Sequence, residues 1–354
     1  MLSAVGVVAL RRRYWQCRCG ADGSYAADAL LGVDGRLSRA LQQHACRLAA
    51  DVSFAAASEH LDALLGVKVC AETVRTLVEG HGRAMARFQP TDPVTEAAFR
   101  AAPGAVEFAV DAGKVNTREQ GWKDLKIAVI SKRESAAPVS PSGWEGQRLP
   151  AATAVVAFAR IATARAFRRR WRGRLRRLGV TAFAALHVLA DGAGWIWKAV
   201  TRALTGCVQT LDLFHAGENL ARAAGKLFGA GTAAARTAFE RGRSLLIEGG
   251  WAGVCAWVAD VLAVSDEAER ERRRRITERA LRYFAKHVPR LNYAERLAAG
   301  RAIGSGAVEG QAKTLGLRLK SRGARWKRVN VEPMASLVCV RHSGQWDAYW
   351  ALAA

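Results

Sequence analysis

Five apolar segments between residues 105 and 213 constrain the fold of this chain more than any other feature. The first three follow one another without an intervening helical pattern, and a helical segment precedes each of the last two. The predicted strands are 105–110, 123–131, 153–158, 186–190 and 208–213. Strand-helix-strand connections favour parallel neighbours with helices packed on the sheet. The pattern therefore predicts an α/β fold around a mixed five-stranded sheet flanked by helices.

Helical sequence surrounds these strands along the chain. Three strands, a helix, and two strands separated by a helix are the order of a ribonuclease H-like core. The stretch 215–298 contains no good strand pattern, which predicts an all-helical insertion, and a last core helix begins at Gly306. The predicted regions are 1–35, a partial zinc-ribbon-like segment; 36–92, a helical helix-turn-helix region; 100–214, the first part of the core; 215–300, the insertion; and 301–354, the last helices of the core.

A helix-turn-helix pattern precedes the core. Ser53 is a good N-cap for a helix with apolar residues at helical spacing, and Gly66 ends that helix. A short turn and a second amphipathic helix follow, as in DNA-binding helix-turn-helix units. Arg75 would then face DNA. A generic helical hairpin has the same pattern.

The charge of the chain is strongly one-sided. It contains 54 Lys and Arg against 31 Asp and Glu, a formal net charge of +23. Such an excess favours nucleic acid as the partner, ahead of an anionic membrane surface. No uninterrupted apolar run reaches the roughly twenty residues that a membrane span needs, so we expect no membrane association. Seven scattered cysteines form no disulfide framework and favour the reducing cytoplasm.

Three acidic residues stand at predicted strand ends or at a helix start: Asp111, Asp191 and Glu309. Three carboxylates that a fold brings together can hold two divalent cations and drive in-line attack on a phosphodiester. Mg²⁺ or Mn²⁺ suits such hard oxygen ligands. Each acid alone also has an ordinary explanation, either a tight Asp-Gly turn or compensation of the helix dipole. The metal-site prediction therefore requires that all three converge.

Longer motifs surround these acids. They are Asp-Gly-Ala-Gly-Trp-Ile-Trp at 191–197, Leu-Asp-Leu-Phe-His-Ala-Gly-Glu-Asn-Leu at 211–220, Ile-Gly-Ser-Gly-Ala-Val-Glu at 303–309, and Arg-Leu-Lys-Ser-Arg-Gly-Ala-Arg-Trp at 318–326. Together they resemble bacterial insertion-sequence transposases of the ISKra4 type, a DDE group related to Mutator-like transposases. The resemblance extends over most of the chain, from about Arg13 to Trp350.

The resemblance implies roles for individual residues. Asp111 would bridge two Mg²⁺ ions, while Asp191 and Glu309 would each hold one. The Asp-Leu-Phe-His stretch matches the short Asp/Cys-x-x-His signature of these enzymes, which makes His215 an active-site accessory. A neutral imidazole there could contact the scissile phosphate or position a water. Without the resemblance, a lone histidine after a strand is a structural residue, and helix capping explains the nearby Ser305.

Two basic segments are candidates for DNA contacts. The stretch 160–177 contains nine arginines and no acid, a composition that suits a helix following a phosphate backbone. The second segment follows Glu309 along its helix and the loop beyond. The candidate residues are Arg168, Arg169, Arg170, Arg172, Lys313, Arg318, Lys320, Arg322, Arg325 and Lys327.

One close cysteine pair, Cys17 and Cys19, is the candidate zinc site. A zinc ribbon needs two such knuckles to supply four ligands. In the resembled family a further Cys-rich segment commonly precedes this stretch, so the pair is interpreted as half of a ribbon. Two reduced thiols in a surface hairpin are the alternative.

The sequence thus predicts a transposase that binds the terminal inverted repeats of its element and catalyses Mg²⁺-dependent strand cleavage and strand transfer. It would act in the bacterial cytoplasm, at the nucleoid, as a homodimer or larger assembly on double-stranded DNA, because two ends must be synapsed. One alternative is another metal-dependent nuclease on the same fold. The other is a basic DNA-binding regulator, or a transposase remnant that binds DNA without cutting it.

Overall fold

The structure is a computed structural model that describes residues 1–16, 18, 19, 23, 25, 28, 33, 34 and 36–352. Near the N-terminus, four two-residue strands form a small sheet in the order β2-β1-β4-β3. Their bounds are β1 Leu2–Ser3, β2 Gly6–Val7, β3 Val33–Asp34 and β4 Leu37–Ser38.

Four helices follow, and polar caps set their starts. The Ser38 and Ser53 hydroxyls accept hydrogen bonds from the first turns of α1 and α2, and Asp92 caps α4 in the same way. Gly66 ends α2 in the left-handed conformation, with φ 64°. The bounds are α1 Arg39–Ala49, α2 Phe54–Leu65, α3 Ala71–Phe88 and α4 Pro93–Ala101.

The central sheet has five strands in the order β7-β6-β5-β8-β9. Strand β6 is antiparallel to both of its neighbours, whereas β5, β8 and β9 are parallel. The predicted mixed five-stranded sheet is confirmed, and its order is compatible with a ribonuclease H-like core. The bounds are β5 Ala105–Thr117, β6 Gly121–Arg133, β7 Ala154–Ile161, β8 His187–Ala190 and β9 Val208–Leu211.

Each face of this sheet packs against its own hydrophobic cluster. On β5, Phe108 and Val110 belong to the first cluster and Ala109 to the second, because side chains alternate along a strand. Three helices between β7 and β9 contribute to the first cluster: α5 Ala164–Arg168, α6 Trp171–Arg177 and α7 Gly194–Ala203. The predicted single helix over 160–177 is wrong, since residues 160 and 161 complete β7 and a turn separates α5 from α6.

The segment predicted as an all-helical insertion consists of helices, 3₁₀ turns and loops in the structure. Its longest helix, α9, turns back at Gly250, which has φ 53°, so that Trp257 donates to the Ala238 carbonyl at 2.9 Å. The 30 residues of α9 are together long and apolar enough to cross a membrane, but the reversal at Gly250 divides them and 44% of the most apolar window is buried inside the protein. The fold is thus compatible with a soluble protein. The bounds are α8 Leu213–Phe228, α9 Ala233–Leu262, α10 Glu267–Ala285 and α11 Tyr293–Ala298, and 3₁₀ turns occupy Pro141–Gly146, Phe183–Ala185 and Val288–Arg290.

Three C-terminal helices complete the fold: α12 Gly306–Leu319, α13 Arg328–His342 and α14 Trp346–Leu352. Helix α12 lies on β5, and α13 packs between β7 and the N-terminal helix α3. The α3–α13 contact is close, because a Cβ atom at Gly82 would lie 2.6 Å from the Pro333 carbonyl oxygen. The helices predicted as a helix-turn-helix region therefore share the second hydrophobic cluster with the sheet.

Candidate metal centre

Three aspartates lie next to one another on neighbouring strands: Asp111 within β5, Asp191 directly after β8 and Asp212 directly after β9. Val110 of β5 is in register with Ala190 of β8, which is in register with Leu211 of β9. The next residues along these three strands are Asp111, Asp191 and Asp212. Val110, Ala190 and Leu211 belong to the first hydrophobic cluster. Because successive side chains along a strand point to opposite faces of the sheet, the three aspartates point to the other face. That face carries α12.

Helix α12 brings Glu309 close to Asp212 through Ser305. The Ser305 hydroxyl lies 2.9 Å from Asp212 Oδ2 and 2.9 Å from Glu309 Oε1. The Ser305 backbone N–H also donates to Asp212. A hydroxyl has one proton, so it donates to one carboxylate at a time. Ser305 is the N-cap residue of α12, as predicted, but its side chain makes no capping hydrogen bond with the described residues and instead bridges two acids.

Asp212 is the buried centre of this network. Its side chain is 0% exposed, yet its two oxygens accept hydrogen bonds from His215 and Ser305. Burial by itself would raise the pKa of Asp212, but these hydrogen bonds outweigh burial and lower it. Asp212 therefore remains an ionised carboxylate. It was present in the sequence motif, but we had not predicted it as a site residue.

His215 is held as a cation by Asp212. Its backbone N–H donates to Asp212 Oδ1 at 2.8 Å, and its Nδ1 lies 3.1 Å from the same oxygen. This hydrogen bond raises the pKa of His215 to about 9. The ring thus carries a positive charge at neutral pH, in contrast to the neutral imidazole considered from the sequence.

Asp212, His215 and Glu309 form a compact group, in which one ligand atom of each lies within 4.8 Å of the others. This group could hold a metal ion once the His215 ring has lost its proton. Among the residues that the structure describes, this compact group contains neither Asp111 nor Asp191. Burial first, and then the charge of Asp111, raise the pKa of Asp191. A divalent cation would relieve this repulsion, and the carboxylate oxygens fit Mg²⁺ or Mn²⁺.

The insertion supplies a residue to the edge of this site. Tyr283 of α10 lies so close to Gly192 that a Cβ atom there would be 2.4 Å from the tyrosine hydroxyl. Burial, followed by the charges of Asp191 and Asp212, raises the pKa of Tyr283. Sequence inspection missed Tyr283, because α10 is rich in Arg and Glu and has the pattern of a solvated helix.

We expect Gly192→Ala to lower the free energy of unfolding by about 1–3 kcal/mol, since the added methyl group would overlap the Tyr283 ring. Urea unfolding of Gly192→Ala, Tyr283→Ala and the double variant measures the interaction free energy between the two positions. In the double variant the methyl group has room, so the two losses should be less than additive. Strictly additive losses would show that the two residues do not interact.

The predicted basic residues divide into two sets on opposite sides of the sheet. Arg168, Arg169, Arg170 and Arg172 lie on or between α5 and α6, on the side of the first cluster. Within the described part of the chain, none of these four forms an ion pair. The second set lies on α12 and the loop after it, on the α12 side: Lys313, Arg318, Lys320, Arg322, Arg325 and Lys327.

The DNA contacts predicted from the sequence can be tested at Arg168, Arg169 and Arg170, whose replacement with Ala would then weaken binding to all DNA sequences. Each lost phosphate contact should reduce the salt slope of the binding constant by about one. Fluorescence anisotropy with two unrelated duplexes over a salt series measures both quantities. Weakened binding to only one duplex would instead assign these arginines to base recognition.

Two other sequence predictions have different outcomes. Arg75 forms ion pairs with Glu72 and, at 2.9 Å, with Glu79, so these acids compensate the charge proposed to face DNA. Of the candidate zinc ligands, Cys17 lies outside the described residues and Cys19 is exposed. The half-ribbon therefore stays a prediction.

Comparison with known proteins identifies no relative, so a function is inferred from the arrangement of the acids and His215 described above. No protein-family model matches the sequence, and no curated protein matches it. The transposase resemblance consequently depends on the motifs alone.

Proposed function

We propose that this chain is a DDE-type transposase that cleaves DNA and transfers strands with two Mg²⁺ or Mn²⁺ ions. The observation that carries this proposal is the row of Asp111, Asp191 and Asp212 on three neighbouring strands, facing the helix that carries Glu309. The charges of Asp111 and Asp212 both repel Asp191, in a protein of net charge +23. Such an arrangement suits cation binding and a polyanionic substrate.

Asp111, Asp191 and Glu309 would hold the two ions, on the proposed ribonuclease H-like core. When bound, the ions activate the attacking oxygen and stabilise the leaving oxygen of an in-line displacement. Ser305 orients Glu309 through its hydroxyl. Asp212 keeps His215 protonated, and the imidazolium can donate a hydrogen bond to a non-bridging oxygen of the scissile phosphate.

The partner in this proposal is double-stranded DNA, both the inverted repeats of the element and the target. A homodimer or larger assembly would hold the two ends together on DNA, at the nucleoid in the bacterial cytoplasm. The two basic sets on opposite sides of the sheet support contacts with more than one DNA segment.

A strand-transfer assay tests the proposal. The protein is incubated with duplexes carrying the element ends, a supercoiled target plasmid, and either Mg²⁺ or a chelator. Covalent joining of an end to the plasmid only with the metal is the expected result. Cleavage without joining would favour a nuclease on the same fold, and metal-independent binding without cleavage would favour a DNA-binding regulator.

A further inference from the structure

A large cavity lies away from the carboxylates, where the N-terminal helices meet the loop after α12. Its volume is about 910 Å³. Helices α2 and α3 form one wall, and loop 320–327 and the tip of the β5–β6 hairpin form the others. The cationic residues that line it are Arg75, Arg118, Arg318, Arg322, Arg325 and Lys327.

The loop that borders this cavity is fixed to the hairpin. Trp326 donates its backbone N–H to the Asn116 carbonyl at 3.0 Å, and Arg118 donates its own to the Trp326 carbonyl at 2.8 Å. The Trp326 indole N–H also donates to the Leu319 carbonyl at the end of α12, at 3.0 Å. The backbone of this loop is thus held in place at Trp326 before any ligand binds.

Arg318 is a buried cation at the bottom of the cavity. It is 3% exposed and lies between the rings of Phe54 and Trp326, with its guanidinium carbon 4.8 and 4.9 Å from their centroids. Its Nε donates to the Ala49 carbonyl, but its Nη2 is buried without a hydrogen-bond partner. Within the described chain, no carboxylate pairs with it. A buried charge without a counter-ion is costly, so the site fits an incoming anion.

The remaining charges of the cavity favour a polyanion. The two acids in its lining, Glu72 and Glu79, are both paired with Arg75. Against the six lining cations, these two acids leave the cavity wall with a net charge of +4. The exposed Arg322, Arg325 and Lys327 surround the opening, whereas Arg318 lies inside. A single small anion would neutralise few of these spread charges, whereas successive phosphates of one strand would neutralise several.

We propose that this cavity binds the phosphodiester backbone of a nucleic-acid strand, with one phosphate seated against Arg318. Arg318 lies nine positions after Glu309 on α12, which at 100° per residue places the two side chains on opposite sides of the helix. The cavity is therefore a binding site separate from the carboxylates. That its occupant is the DNA substrate rests on the proposed function, while anion binding itself does not.

The test compares two triple variants that remove the same charge. The first replaces Arg322, Arg325 and Lys327 with Ala. The control replaces Arg241, Arg274 and Arg275 of the insertion, which are exposed and lie on the other side of the sheet. Affinity for a duplex is measured by anisotropy over a salt series in a chelator, so that no cleavage takes place.

We expect the cavity variant to bind the duplex at least tenfold more weakly, with a salt slope lower by about three. The control should stay within about threefold of the wild type, because its arginines touch no phosphate in this proposal. Equal weakening of both variants, or wild-type affinity of the cavity variant, would overturn the proposal.

A second experiment measures the melting temperatures of the wild type and the cavity variant with and without inorganic phosphate. If phosphate raises the melting temperature of the wild type but not of the cavity variant, and both bind DNA equally, the cavity is a small-anion site and the nucleic-acid assignment is wrong. A wild type that binds DNA through the cavity but does not cleave it contradicts only the proposed function. A wild type that cleaves, with a cavity variant that binds normally, contradicts only the cavity assignment.

Discussion

Replacing Asp111, Asp191 or Glu309 individually with Ala is expected to abolish Mg²⁺-dependent cleavage. Each variant loses a carboxylate from the proposed two-ion site, and the ions contribute several kcal/mol to transition-state stabilisation. The loss should therefore be about a thousandfold or more. Cleavage of end duplexes by gel assay measures the rate, and anisotropy in a chelator measures DNA binding, which should remain near the wild-type value.

Asp260→Ala is a suitable control for these variants, because Asp260 is an exposed acid of the insertion whose ion-pair partner among the described residues is Arg241, at 3.4 Å. It removes the same charge without touching the sheet edge and should cleave at the wild-type rate. Retained cleavage in any one of the three site variants would remove that residue from the metal centre. Loss of DNA binding along with cleavage would point to misfolding or to a different role.

Asp212→Asn is expected to return the pKa of His215 from about 9 towards its ordinary 6.5, because the hydrogen bond to an ionised carboxylate is lost. Cleavage should fall about 10- to 100-fold, the usual effect of removing a residue that orients others in a site. NMR titration of the His215 ring gives the pKa directly. An unchanged histidine pKa would show that Asp212 does not hold the ring in its charged form.

The Asp212–His215 pair also makes the free energy of unfolding depend on pH. The folded-state pKa of His215 is raised, so its contribution is fully present below pH 6.5 and is lost as the pH rises through about 9. Because the side chain is 36% exposed, we expect a loss of only about 1–2 kcal/mol over this range. Urea unfolding of the wild type and His215→Gln at several pH values measures it. The variant should lack this dependence, and equal curves would contradict the assignment.

The sequence predicted the central sheet well because its strands are strongly apolar and separated by clear helical segments. It also indicated Asp111 and Asp191, since acids that directly follow buried strands reach the carboxyl edge of the sheet. The observed β5 nevertheless continues six residues beyond Asp111, where its side chains follow no simple apolar run.

The parts that sequence inspection missed depend on contacts between distant segments. Asp212 and Ser305 are 93 residues apart, and their hydrogen bond exists only once α12 has docked on the sheet. Tyr283 reaches Gly192 through the fold of the insertion. The pairing of Trp326 with the β5–β6 hairpin is equally non-local. No local periodicity marks such contacts, so only the assembled fold reveals them.

The position of α13 between the sheet and α3 has a consequence for shortened chains. The C-terminal segment also reaches the first helices directly, with His81 Nδ1 2.8 Å from the Tyr349 hydroxyl and Arg39 donating to the Trp350 carbonyl at 2.9 Å. The ribosome must therefore synthesise almost the whole polypeptide before the N-terminal helices can pack against the C-terminal ones. Early termination would leave the hydrophobic surface of those helices exposed to water, where it promotes aggregation and degradation. A truncated protein would therefore compete poorly with the full-length protein.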